Sequence, residues 1–537
     1  MTWIHPISAD VEEGADVLGG KGHGLVVLRR LGLPVPPGFV IGTAACRAFL
    51  RDGRFPDGLG AELATAVADL EAATRRRLGG PERPLTVSVR SGGSVSMPGM
   101  MDTILNLGLT AEAAAGLAAE TGDLRFALDS RLRFLSGIAS AVYGLSPESL
   151  ETAAAGAETA RLAEAIRGVE ALIRERAGEP VPDEAMPQLE LAVKAVASSW
   201  GTPRAKTYRE LHDIPHDAGT AVTVQAMVFG NRGDDSGTGV AFSRDPDTGD
   251  SAPFGEVLFG HQGEDVVSGR STTRPLPDLA EREPDVWADL LEAMSRIEEH
   301  YRDACYVEFT FEAGKLWLLQ VRAGGLVGRA AVRVAVDLAD EGLISRREAL
   351  LRVRPQDLRH AHRPRIATAG TLDLFTRGQG ACPGVAVGRV ATSADRAARM
   401  ATSGPVILVR PHTSPLDMHG LAVAAGVVTA RGGPTSHAAI VARAMGKPAV
   451  VGAADLTVDT AAASVRAAGR MLPEGTLITI DGTGGEVVIG TPHVTTPRQT
   501  DPHLHRLLEW AEEIPPTDPT HPHAERLKAA HATLLNT

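Results

Sequence analysis

Apolar residues change their spacing several times along the chain. Up to about residue 110 they come in short runs punctuated by glycine and proline, as in LGGKGHG, GLPVPPGFVI and LTVSVRSGGSVSMPGMMDT. This texture predicts α/β structure with functional loops. From about 111 to 200 alanine, glutamate, leucine and arginine take over with no strand-like run, which predicts a helical subdomain. Strand signals return in TAVTVQAMVFGN and TGVAFSRDP. A helix is then predicted over 286–301, where Trp287, Leu290, Leu291, Met294, Ile297 and Tyr301 recur every three or four residues. Two β-like runs follow, YVEFTF and LWLLQVR. Residues 341–378 are charged and arginine-rich, like a helical connector, and a second α/β unit is predicted over 379–492 from GVAVGRV, PVILVR, GVVTA, PAVVG and TLITIDG. The tail from 493 holds an amphipathic LHRLLEWAEEI and the proline-rich IPPTDPTHP. No internal repeat is visible.

Length turns this succession into a domain count. At about 150 residues per domain, 537 residues make three or four compact units. Hydrophobic residues at 43 % and charged residues at 22 % describe an ordinary globular chain. The net charge of −12 argues against a sequence-independent grip on nucleic acid or on an anionic membrane. Cys46, Cys305 and Cys382 lie too far apart in sequence to suggest a disulfide framework or a thiolate metal site. The start of the chain has no signal-peptide pattern, and no run of about 18 apolar residues occurs, so a cytoplasmic location is expected. Only six lysines stand among 54 basic residues, which draws attention to Lys21 beside its glycines.

The most informative segment is ARGGPTSHAAIVARAMGKPAVVG, residues 430–452. Gly432, Gly433 and Pro434 make a turn, Thr435 and Ser436 offer capping hydroxyls, and AAIVARAM forms a short helix ended by Gly446 and Pro448. His437 is thereby placed at a helix N-terminus. There the helix dipole disfavours imidazolium, and free N–H groups can hold an attached phosphoryl group. A capping histidine on a surface helix is the alternative. Lys21 in LGGKGHG and Arg90 in VSVRSGGSVSMPGM sit in glycine-bearing segments where backbone can approach phosphates, although such segments are often plain turns. In YVEFTF and LWLLQVR, a three-residue loop of Glu312, Ala313 and Gly314 would set Tyr306 opposite Gln320. Alternation then puts Tyr306, Glu308, Gln320 and Arg322 on one strand face. That face suits Mg²⁺ carrying a polyphosphate, or is simply a solvated polar face. The late histidines His503, His505, His521 and His523 read as a solvated tail.

Taken together these motifs resemble a family. Lys21 with GLPVPPGFVI, SVRSGGSVSMPGMMDTILNLGL, SSWGTPRAKTYREL, VQAMVFGNRGDDSGTGVAFSRDP, GEDVVSG, EFTF with LWLLQVR, and ARGGPTSHAAIVARAMGKP are similar, in order and spacing, to pyruvate, phosphate dikinase over about residues 5–515. The resemblance implies an α/β and α+β multidomain chain. An ATP-grasp nucleotide-binding domain would occupy 1–340 with a helical insertion at 111–200, a helical connector 341–378, a swivelling phosphohistidine domain 379–492 and a truncated connector 493–537. It implies ATP and Mg²⁺ as cofactors. Lys21, Arg90 and Arg322 would hold ATP phosphates, Glu308 and Gln320 the metal, and Gln225, Met227 and Val228 the adenine through backbone contacts. His437 would carry the phosphoryl group in a half-reaction giving AMP and pyrophosphate from ATP and phosphate, the TSH form favouring phosphate over water as second acceptor. Two departures accompany it. The family's pyruvate-binding barrel is absent, so a separate barrel protein is the implied partner. Tyr306 also replaces an acidic residue two positions before Glu308. A non-catalytic ATP-binding or phosphocarrier protein, or a kinase for another acceptor, are the alternatives; oligomeric state is left open.

Overall fold

The computed structural model describes residues 2–95, 97, 99–153, 159–268, 271, 273–361, 364–367, 372–495, 501–514 and 521–535. Parts of the SVSMPGM, GEDVVSG and IPPTDPTHP stretches therefore lie outside the described residues. The chain is of mixed α/β, multidomain type, and its contacts divide it into two units. One is Met1–Gly233 with Trp317–Gln320; the other is Asp234–Leu316 with Val321–Thr537.

The first unit is built on a five-stranded antiparallel sheet in the order Ile4–Pro6, Gly38–Ile41, Thr220–Ala226, Val87–Gly93, Thr103–Leu107. The Thr220–Ala226 strand, TAVTVQA, is buried at every position because it pairs with neighbours on both edges. The stretch expected to be helical holds helices Ala111–Thr121, Leu124–Ala141, Pro147–Ala153, Thr159–Ala177 and Ala185–Ser198. Phe134, Ile138, Val169 and Leu189 from these helices share one apolar cluster with Val87, Val89, Ile104 and Val224 of the sheet. Among the described residues the helical part thus shares its core with the sheet and is stabilised by covering it.

The second unit contains two larger sheets. The first runs in the order Arg274–Pro275, Phe254–Phe259, Gly237–Phe242, Cys305–Glu312, Lys315–Ala323. Its registers set Glu256 opposite Val240 and Val240 opposite Glu308, and in the next row Phe254 opposite Phe242 and Phe242 opposite Tyr306. Directly paired residues share a face, so Glu256 and Glu308 stand in one cross-strand row with an aromatic row beside it. The hairpin between the last two strands differs from expectation. Ala313 and Gly314 alone form the turn, with φ of 50° and 68°. Two consecutive left-handed residues make a two-residue loop, which matches the twist of the strands better than the three-residue loop inferred from sequence. The helix beneath this sheet is Pro284–Tyr301, burying Val286, Leu290, Ala293, Met294 and Ile297.

The other sheet has eight strands in the order Leu374–Arg377, Glu486–Ile489, Leu477–Asp481, Val385–Ala391, Val406–Arg410, Gly426–Thr429, Ala449–Val451, Gln379–Cys382. Its four central strands, from Val385–Ala391 to Ala449–Val451, are mutually parallel. Crossover helices return the chain each time, so the loops after these strands gather at their carboxyl ends. Among the described residues of the connector, helices Arg346–Arg352 and Pro355–Ala361 are followed by the short strands Arg365–Ile366 and Leu374–Arg377. Nor is the tail a solvated extension. Helices Pro502–Glu512 and His523–Leu535 bury Leu504, Leu507, Trp510 and Leu527 in one cluster with Val332, Leu338 and Leu350 of the preceding helices. His503 lies 3.2 Å from Asp337 and 3.4 Å from Asp501. Among the described residues no helix is long and apolar enough to cross a membrane.

Candidate active site

The loop after the parallel strand Gly426–Thr429 leads into helix His437–Met445, with Ser436 as the N-cap residue in extended conformation and Gly446 closing the helix at φ 64°. His437 is therefore the first helical residue, as the turn and cap pattern predicts. The capping differs in detail. Neither hydroxyl caps the helix: the Ser436 hydroxyl is buried without a hydrogen-bond partner, and the Thr435 hydroxyl donates to the Glu256 carboxylate instead.

His437 is 9 % exposed. Its Nδ1 lies 3.3 Å from Thr413 Oγ1, and its Nε2 has no hydrogen-bond partner among the described residues. Burial pushes the imidazole down to about 4, with the Asp417 carboxylate acting in the opposite direction. The expected neutral imidazole is thus present, but desolvation rather than the helix dipole is its main cause. Asp417 is held by the Ser414 N–H at 2.9 Å and by Arg410 at 3.2 Å.

Two acidic residues fix the histidine loop, Glu256 of the preceding sheet and Asp247 of the turn between its strands Gly237–Phe242 and Phe254–Phe259. Glu256 accepts from the Thr435 N–H at 2.8 Å and from the hydroxyls of Thr435 and Thr273. Residue 433 must be glycine for this to happen, since a Cβ there would occupy the space of the Glu256 carboxylate. Farther along the helix, Arg443 pairs with Asp247 at 3.3 Å and donates to the Pro434 carbonyl. The loop is thus tied to the sheet by Glu256, the helix to the turn that carries Asp247, and loop and helix to each other by the Arg443–Pro434 bond.

In the first unit the structure brings Lys21 and Arg90 onto neighbouring elements. Lys21 is not in an open glycine loop. It sits in helix Ala15–Arg30 just after a break at Gly19, where φ is 66° and ψ 161°. A Cβ on Gly19 would collide with the Gly92 carbonyl, and one on Gly92 would come within 3.2 Å of Lys21 Cβ. The paired glycines are what allow this lysine to lie against the strand that carries Arg90. Arg90 donates to the Leu319 carbonyl at 3.0 Å. In the neighbouring strand the Gln225 side chain donates to the Pro36 carbonyl at 3.0 Å, and the Met227 N–H to the Thr86 carbonyl at 2.9 Å, with Val228 following in the loop. Gln320 of the Trp317–Gln320 segment is 4 % exposed.

The second unit holds Glu308 and Arg322. Glu308 Oε1 accepts from the Tyr306 hydroxyl at 3.3 Å and lies 4.0 Å from an Arg322 nitrogen. The Arg322 guanidinium is 5.2 Å from the Tyr306 ring centroid. As a cation site this face supplies one carboxylate that is already engaged. Among the described residues no group of three or more His, Cys, Asp or Glu side chains is arranged to hold a metal. These donors fit an Mg²⁺ that brings phosphate oxygens as its other ligands, and do not fit a cage made by protein alone.

Comparison with known proteins gives this arrangement its setting. The family described as "Pyruvate phosphate dikinase, AMP/ATP-binding domain" matches residues 15–76 and 50–277, and "PEP-utilising enzyme, mobile domain" matches 402–485. Pyruvate, phosphate dikinase of Rhizobium meliloti is 42 % identical over 95 % of this chain. The chain is a homologue of the pyruvate, phosphate dikinases. Pyruvate, phosphate dikinase 2 of Zea mays, also 42 % identical, aligns with 93 % of the chain, and the Arabidopsis thaliana chloroplastic enzyme is 40 % identical over 93 %. The chain spans 60 % of the length of the Rhizobium dikinase and 58 % of the maize one. Lys21, Arg90, Gln225, Met227, Val228 and Glu256 fall within the dikinase AMP/ATP-binding match and His437 within the mobile-domain match. Glu308, Gln320 and Arg322 lie beyond both.

Sequence reasoning passes over Glu256, Asp247, Thr413 and Asp417. Only Glu256 carries a signal, as a lone carboxylate in the otherwise apolar strand FGEVLF; a buried charge asks for partners. The others become visible only when the crossover loops are folded beside His437.

Proposed function

We propose that the chain is an ATP-dependent phosphotransferase of the dikinase type, with an ATP-grasp nucleotide-binding domain over 1–340, a connector 341–378, a swivelling phosphohistidine domain 379–492 and a further connector 493–537. It phosphorylates His437 from ATP and phosphate, releasing AMP and pyrophosphate. It then passes the phosphoryl group to pyruvate. The observation that supports this most directly is the His437 imidazole: neutral, at a helix N-terminus, with Nε2 lacking a protein partner.

With the ring proton on Nδ1, donated to Thr413 Oγ1, the Nε2 lone pair is the nucleophile. It forms a bond to the β-phosphorus of ATP while the bond to the bridging oxygen of AMP breaks, and phosphate takes the γ-phosphoryl group as pyrophosphate. Lys21, Arg90 and Arg322 neutralise phosphate oxygens, and positioning with charge neutralisation supplies most of the rate. Glu308 and Gln320 are the residues that would hold Mg²⁺, which when bound offsets charge on the phosphate oxygens. Gln225, Met227 and Val228 are assigned to the adenine side. Three buried free thiols suit a reducing compartment, and we place the chain in the cytoplasm.

The test is labelling with β-labelled ATP, Mg²⁺ and phosphate. Acid-labile, base-stable label on the native chain and none on His437→Ala is expected; equal label on both would refute the assignment. The non-catalytic reading is favoured by one observation, the phenol that engages Glu308, and would be marked by the absence of label on the native chain.

A further inference from the structure

The aromatic row beside Glu308 bears on a property of the cation site that the phosphotransfer reading leaves unspecified, and the inference drawn from it rests on that reading. Tyr306 is 6 % exposed. Its ring packs 4.9 Å from that of Phe242 and joins a cluster with Val240, Leu258 and Val266. A ring so enclosed has little freedom to turn. Alternation along Cys305–Glu312 puts its hydroxyl on the same face as Glu308, where it donates to Oε1 at 3.3 Å. Arg322 then stands 4.0 Å from the same oxygen and 5.2 Å from the ring centroid. The phenol contributes no charge, so Tyr306, Glu308 and Arg322 together carry no net charge at neutral pH.

We propose that Tyr306 is a specificity-determining residue that makes the Glu308 face accept a divalent cation only as its complex with a polyphosphate nucleotide. A free cation reaching this face finds one carboxylate whose oxygen is already shared by a hydroxyl and beside a guanidinium, and gains too little to shed its water. A cation arriving on ATP brings phosphate oxygens as ligands, and Arg322 turns toward that phosphate charge, leaving Glu308 to the metal. Affinity of oxygen-ligand sites follows the number of charged ligands, so exchanging the phenol for a carboxylate should create a site for the free ion.

The experiment is a titration of the full chain with Mn²⁺, free ion read by electron paramagnetic resonance, with and without a non-hydrolysable ATP analogue. Nucleotide-free native protein is expected to bind Mn²⁺ at this site no tighter than about 1 mM, and Tyr306→Asp at least about tenfold tighter. Tyr306→Phe, which removes the hydroxyl without adding charge, should stay within about threefold of native by the same argument. With the analogue present the native chain should take up Mn²⁺, and Glu308→Gln should weaken that uptake. Should Tyr306→Asp fail to fold, Glu308→Gln still decides the matter. Mn²⁺ binding by the nucleotide-free native chain that Glu308→Gln abolishes would overturn the proposal alone. A chain that takes up neither free nor nucleotide-borne Mn²⁺ would overturn it together with the phosphotransfer reading.

Discussion

Glu256 and Glu308 stand in the same cross-strand row, each opposite Val240, and yet they have different surroundings. Glu256 is 6 % exposed and accepts from one backbone N–H and two hydroxyls. Its lone pairs are used to hold the loop that precedes His437. The Glu308 side chain is 23 % exposed and has a phenol and a distant guanidinium as neighbours, an arrangement that can be rearranged by an incoming charged ligand. Strands are about 4.8 Å apart, so two such spacings separate a carboxylate that holds a loop from one that faces a phenol and a guanidinium. Identical residue type and identical place in the strand pleat do not assign a role; the surroundings of the carboxylate do.

The largest effect expected from breaking this comparison lies at the loop that Glu256 holds. His437→Ala removes the only nucleophile proposed for the ATP half-reaction, and exchange of label between ATP and AMP, with phosphate, pyrophosphate and Mg²⁺ supplied, should fall to background. Retained exchange would mean that the phosphoryl group moves without this imidazole.

Next in size come the phosphate contacts. Lys21→Ala and Arg90→Ala should each slow the same exchange by about 10²- to 10³-fold, the usual loss for one preorganised donor to developing charge. Lys528→Ala, on the final helix, should leave it unchanged. Equal rates for all three variants would detach ATP from the Gly19–Gly92 contact that places Lys21.

The residues behind these two predictions differ in how visible they are in the sequence. The histidine helix is legible because its signals are local: a glycine–proline turn, an extended N-cap position and a left-handed Gly446 all act within a short stretch of chain. Lys21 is legible as a residue but not in its setting. The GGKGHG run looks like a loop, whereas Gly19 breaks a helix so that it can press against Gly92, more than seventy positions away. The length of the hairpin loop escapes the sequence because Ala313 adopts φ 50°, and alanine gives no sign of a left-handed position. The tail misleads for a different reason. Its histidines look solvated, but the apolar stripe of Leu504, Leu507 and Trp510 finds a partner in helices some 150 residues earlier. The Glu256 contact lies beyond local pattern altogether, since it joins positions 179 apart.

A smaller effect separates the histidine from its fold. The pKa of His437 is depressed to about 4 from an ordinary 6.5, so the native state favours the neutral ring. Between these values the unfolded chain binds more protons than the native one. This contribution to stability is therefore intact above about pH 6.5 and is lost as pH falls toward 4, amounting to about 3 kcal/mol. In denaturant melts at pH 7 and pH 4, His437→Asn should show a fall in stability shallower than native by that amount. Parallel falls would show that the imidazole is solvated and that burial does not set its charge.

The smallest expected effect tests the two carboxylates directly. Glu256→Gln keeps one acceptor oxygen for the Thr435 N–H but sets an amide NH₂ among hydroxyl donors, one of which must turn away or go unpaired. A cost of about 1–2 kcal/mol in unfolding free energy follows from a charge-assisted bond weakened and a buried donor left in need. Glu308→Gln breaks a long hydrogen bond to a phenol and a 4.0 Å ion pair that is partly solvated, and about 0.5 kcal/mol is all that such contacts usually contribute. If instead the melts move equally, the difference in donor count around the two side chains has no energetic meaning. If Glu308→Gln moves more, the face beside Tyr306 is a structural element, and the assignment of Glu308 to a nucleotide-borne cation fails with it.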